Sequence, residues 1–155
     1  MIDRAVMKKY YLPDIAIAVL ISQYYPLDNF LGDDGNEIMQ LAGSRKSDHK
    51  TLKPLSLRRF RKALGVAPVS ESSGKSVTRT KKAGSSLCRV QFWLWSFSTF
   101  EKKSGKLKSA TPVMNELNDL WLGITPGKHI KVRCSTFASK VVERLFYDLI
   151  AARSQ

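Results

Sequence analysis

The chain is poor in cysteine, in histidine and in acid. Its two cysteines, Cys88 and Cys134, stand far apart in apolar-rich patterns, and there is no Cys-x-x-Cys pair. That excludes a disulfide framework and suits a reducing cytosol, so a cytoplasmic chain is expected. The two histidines, His49 and His129, sit at no metal-ligand spacing from each other or from a cysteine, so no zinc-type site can be written from them. The longest apolar run, Ile15 to Ile21, is far short of the roughly 20 residues that a membrane span needs. Asp3 and Lys8-Lys9 precede that run without a convincing small-residue cleavage site, which is not the pattern of a signal peptide.

Catalytic constellations are equally scarce. "ESSGKSVTRTKKAGSS", Glu71 to Ser86, contains Gly74-Lys75-Ser76, the closing letters of a phosphate-binding P-loop. The first glycine of that motif would stand at Val69, no apolar strand precedes it and no helical pattern follows, so a P-loop is excluded. Asp33, Asp34, Asn36 and Glu37 lack the spacing of a calcium loop and read as a solvated turn leading to a helix N-terminus. No nucleophile elbow and no pair of carboxylates in an apolar setting is present. A non-catalytic chain is expected, with no metal, no cofactor and no small-molecule substrate.

Base is what the sequence does have. Lys and Arg number 26 against 13 Asp and Glu in 155 residues, a net charge of +13. Residues 1–43 carry a net −3, residues 44–82 a net +10 and residues 83–155 a net +6. Such an imbalance points to a polyanionic partner. With 43% hydrophobic residues the chain also buries a core and is not a disordered polycation.

The hydrophobic pattern is helical. Residues 3–25 read as helix, interrupted near Pro13 with that proline in a first turn, apolar on most sides and ended by Tyr25-Pro26. A short helix is expected over 36–42, closed by Gly43. Ser56 reads as the cap of "LRRFRKAL", with Leu57, Phe60 and Leu64 on one face and Gly65 as the C-terminal glycine. Residues 66–85 show no periodicity and read as a flexible basic loop. "SSLCRVQFWLWSFSTFEKK" alternates like a strand and also fits helical spacing; its length favours a buried helix. Its aromatics, Phe92 to Phe100, read as core before they read as a base-stacking surface. Thr111-Pro112 is a helix start, with Val113, Leu117, Leu120 and Trp121 as the apolar face. "ITPGKHIKVRC" reads as a turn. Residues 135–152 form the clearest helix, through Phe137, Val141, Val142, Leu145, Phe146, Leu149 and Ile150. The expected fold is an all-α bundle of five to six helices in a single domain, without a convincing sheet.

The candidate site is cationic. Arg58, Arg59, Arg61 and Lys62 crowd one short helix, and three of the four are arginines, whose planar fork matches phosphate. They are expected to grip a nucleic-acid backbone from a rigid element. Arg45, Lys46, Arg79, Lys81 and Lys82 are expected as flexible secondary contacts, and Lys102, Lys103 and Lys106 as an extension of the track. A helix-turn-helix regulator of plasmid or phage type is the alternative. The connection of about 13 residues between its two helices is far longer than the usual turn.

A small, basic, all-α chain with long cationic loops resembles the small subunit of CRISPR Cascade-type interference complexes, over about Tyr10 to Ala152. In some subtypes that subunit resembles, or is translated internally from, the C-terminal part of the large subunit, and "MIDRAVMKKYY" suits such an internal start. The resemblance implies a non-catalytic subunit of an antiviral ribonucleoprotein, present in more than one copy. It would hold displaced single-stranded DNA or the guide RNA–DNA duplex through phosphates, and sequence choice would be left to the guide.

Overall fold

The computed structural model describes residues 1–43, 50–67, 84–102, 111–124 and 127–155. Among them helix dominates, as the all-α expectation has it, and one small sheet is added. The elements in chain order are α1 (Ile2–Lys8), α2 (Asp14–Tyr24), a 3-10 turn (Leu27–Phe30), β1 (Met39–Ala42), β2 (Thr51–Pro54), α3 (Leu55–Ala63), α4 (Ser86–Ser96), α5 (Pro112–Gly123) and α6 (Ile130–Arg153). A π turn (Phe97–Glu101) continues α4.

Helix α6 is the spine. Its 24 residues span about 36 Å at 1.5 Å per residue. It packs against α1, α3, α4 and α5. Phe137, Val141, Val142, Leu145, Phe146 and Leu149 are all buried. Two aromatic clusters hang on this stripe. Near its middle, Phe137 meets Phe100 at 4.8 Å and Trp121 at 5.2 Å. Nine residues on, Phe146 meets Phe60 of α3 at 5.0 Å, and Phe60 also touches Tyr24 and Phe30. Edge-on and tilted contacts of this kind add to the area that each ring buries.

The π turn explains how the segment after Ser85 fills the core. In an α-helix, side chains five apart diverge by about 140°. The wider turn, sealed by the Lys102 amide donating to the Phe97 carbonyl at 3.0 Å, swings Phe100 back beside Trp95, ring to ring at 5.2 Å. Phe92, Trp95 and Phe100 are thus core, as the helical reading expects.

Polar ties fix the outer helices. Asp3, only 2% exposed, accepts from the Tyr24 hydroxyl at 2.9 Å and from Arg153 at 3.4 Å, which joins α1, α2 and the end of α6. The Tyr10 hydroxyl donates to Asp148, which also pairs with Arg144 at 3.6 Å. Burial and the neighbouring carboxylates raise the pKa of both tyrosines, so they stay neutral donors.

Several local expectations are corrected. Residues 39–42 are strand, not helix. They pair antiparallel with 51–54 in the register Met39–Pro54 to Ala42–Thr51, so long-range pairing outweighs a short and weak helical pattern. Ser56 caps nothing. Its hydroxyl accepts the Ile38 amide at 2.7 Å, and Pro54 precedes the helix instead. Pro13 is the N-cap of α2 rather than part of its first turn. That helix buries only a stripe, Ala16, Ile17, Leu20 and Tyr24, while Ile15 lies exposed. Residues 130–134 belong to α6, which begins where the His129 ring accepts the Lys131 amide at 3.3 Å. The acidic turn stands as a turn. Asp34 accepts from the Asn36 amide and side chain at 3.0 and 2.9 Å, but a strand follows it. Thr111 caps α5 by accepting the Met114 amide, with Pro112 in the first turn.

Glycines close the C-terminal end of α3. Gly65 has φ +71°. The Val66 amide reaches the Arg61 carbonyl and the Gly65 amide the Lys62 carbonyl, both at 3.0 Å, a Schellman cap. Gly84, at φ +86°, lies so close that a Cβ there would stand 1.8 Å from the Lys62 carbonyl oxygen.

Three outcomes are expected from urea unfolding. Asp3→Ala leaves the Tyr24 hydroxyl and Arg153 without their shared acceptor and lowers stability by about 3 kcal/mol. A midpoint that does not move would show that the carboxylate is not buried there. Gly84→Ala costs about 2 kcal/mol or more, because it adds a collision to a positive φ. Gly123→Ala, with open space around it, is neutral or stabilising by a few tenths of a kcal/mol.

Candidate nucleic-acid interface

Helix α3 divides its circumference cleanly. Leu57 and Phe60 are buried, as is Leu64 just beyond its end. At 100° per residue, Arg58, Arg59 and Lys62 fall on the opposite face, and all three are exposed. Among the described residues no carboxylate pairs with any of them. The Arg59 guanidinium rests 6.0 Å from the centre of the Phe30 ring, which steadies the cation without neutralising it.

Arg61 differs. It lies on the flank, half-buried, pairs with Glu143 of α6 and donates to the Ser139 carbonyl at 3.3 Å. The four cations are therefore three outward and one inward. Lys102 is exposed, its ammonium 5.5 Å over the Phe97 ring. It lies beyond the far end of α4, whose first turn meets the end of α3 where the Ser85 amide approaches the Ala63 carbonyl. The helical rise separates it from that junction by about 24 Å, so Lys102 does not join the α3 cluster. Arg45, Lys46, Arg79, Lys81, Lys82, Lys103 and Lys106 lie outside the described residues, as do Gly74-Lys75-Ser76 and all of the basic loop but its ends.

A groove of about 860 Å³ opens beside the end of α3, between that helix, α4 and α6. Phe92, Cys134 and Ala138 give it an apolar floor. Its charged lining is Arg61, Arg89, Lys131 and Lys140 against the single carboxylate of Glu143. Burial pushes the thiols of Cys88 and Cys134 above the ordinary thiol range, which keeps them protonated core side chains. Reading the sequence alone missed this groove. Its walls come from three separate segments between Arg61 and Glu143, and only the periodicity of α4 and α6 hinted that they share a face.

No helix among the described residues is long and apolar enough to cross a membrane. No curated protein and no solved structure matches the chain. A sequence model of the transposase IS116/IS110/IS902 family matches residues 55–111, from the first residue of α3 through α4 to the cap of α5. That match corrects the resemblance to a Cascade small subunit, and with it the antiviral, guide-RNA and multi-copy roles that the resemblance implied. The expectation of a non-catalytic chain is corrected as well, because transposases are enzymes that break and rejoin DNA. A nucleic-acid partner is consistent with the match. Over more than a third of its length the chain is similar to a transposase.

Proposed function

We propose that this chain is a transposase-related DNA-binding protein, and that α3 is one of the elements by which it engages the DNA backbone. One observation carries the reading. The stretch similar to transposases begins at Leu55, the first residue of the helix whose outer face carries Arg58, Arg59 and Lys62. The basic segment 44–82, net +10, surrounds that helix in sequence.

The physics of the contact is simple. Three cations spaced i, i+1 and i+4 on a helix seated by Leu57, Phe60 and Leu64 approach a phosphate track from a fixed backbone, so only their side chains are left to order at the moment of binding. Phosphate contacts set position and orientation on the duplex, whereas base contacts read sequence. The outward cations of α3 belong to the first class. Arg61 has a different part in this scheme. Its pairing with Glu143 holds α3 against α6 and so sets the direction of its three neighbours.

Duplex DNA affinity measured across a salt series tests this. Three phosphate contacts contribute about −2.7 to the slope of log K against log salt. Arg58→Ala, Arg59→Ala and Lys62→Ala combined should remove that share of the slope while leaving thermal unfolding nearly unchanged. Arg61→Ala should lower the unfolding midpoint more than it lowers the slope. A triple variant that binds duplex with the slope of the parent would remove α3 from the interface.

A further inference from the structure

The three tryptophans are not used alike. Trp95 and Trp121 are buried at 2% exposure each, inside the aromatic cluster around Phe137. Trp93 is 36% exposed and lines the groove between α3, α4 and α6. Its ring lies parallel to that of Phe97, at 5° and 5.3 Å between centres. Phe97 in turn sits under the Lys102 ammonium. The indole plane is thus set in advance by a neighbour one turn along the helix. An aromatic ring held in this way at the edge of a basic groove loses little freedom when a second flat ring stacks on it.

We infer that this groove holds unpaired nucleotides of single-stranded DNA. Trp93 is the stacking platform, and Lys131 and Lys140 are the cations that face the phosphates. Three features favour this occupant. The lining has four cations to one carboxylate; Arg61 and that carboxylate neutralise each other and Arg89 donates to the Gly84 carbonyl at 3.3 Å, which leaves Lys131 and Lys140. A net positive lining therefore remains for an anion. The apolar floor of Phe92, Cys134 and Ala138 suits the face or edge of a base and offers nothing to a bare phosphate. The volume of about 860 Å³ lies in the range of ligand pockets, roughly 300–1,000 Å³. It is ample for a base with its sugar and phosphate, and a base still stacked in a duplex has no free face to lay on the Trp93 ring. The inference rests on the DNA-binding reading of the chain but uses different residues from those of α3, so the two can fail separately.

The test is tryptophan fluorescence with a short oligothymidylate, alongside anisotropy of the same labelled strand and of a labelled duplex. Because Trp95 and Trp121 are buried, quenching by thymine reports on Trp93. The parent protein should be quenched on binding, and quenching should vanish in Trp93→Phe. That variant keeps a stacking ring and should retain most of its single-strand affinity by anisotropy. Trp93→Ala should lose roughly tenfold or more of that affinity, with duplex affinity unchanged. Lys131→Ala with Lys140→Ala, both exposed positions on α6, should flatten the single-strand salt slope, a readout that holds even if Trp93→Ala proves unstable. If oligothymidylate leaves the fluorescence unchanged while duplex still binds through Arg58, Arg59 and Lys62, the groove assignment is wrong and the α3 reading stands. If quenching occurs but duplex binding ignores those three cations, the groove stands and the α3 reading falls. If neither polymer binds, both fall.

Discussion

The contact between Phe60 and Phe146 is the joint on which the functional surface turns. Phe60 is fully buried, touches rings from α2, the 3-10 turn and α6, and is the only aromatic residue of α3. A helix of nine residues has little stability of its own. What holds it is the apolar face pressed onto α6, with the Arg61–Glu143 pair beside it. Once that face is fixed, the pitch of the helix leaves no choice about which side chains point outward. The exposure of Arg58, Arg59 and Lys62 is therefore a consequence of where Phe60 goes.

The same dependence extends through the rest of the bundle. The stripe of α6 receives Phe60 at Phe146, in its C-terminal half, and the Trp95, Phe100 and Trp121 rings at Phe137, in its N-terminal half. Asp3 and Arg153 bind the first helix to the last turn of α6, so the two ends of the chain brace the end of the spine where α3 is seated. Cys134 and Ala138 of the groove floor lie on this same helix.

Much of this was legible in the residues and some was not. The stripe of α6, the Thr111-Pro112 start and the glycine after Leu64 are local signals, and each stands where it was read. The strand pair was hidden because a strand is stabilised by its partner, here a dozen residues away. The hydroxyl of Ser56 and the guanidinium of Arg61 were misjudged for the same reason, since Ile38 and Glu143 are distant in sequence. The cationic helix was visible as charge, but charge and helicity are common to many nucleic-acid binders. A likeness drawn from those two properties pointed to the wrong complex. The match over residues 55–111 rests on residue order, which carries far more information than composition.

The meeting of Gly65 and Gly84 has a consequence for how such a chain can change over generations. Gly65, just past α3, and Gly84, just before α4, meet with no room between the two for even a methyl group. The meeting is pinned by the Schellman cap on one side and by the Ser85 cap of α4 on the other. Any side chain at either glycine would push the end of α3 away from the start of α4, so these two positions can change only together with the seating of both helices.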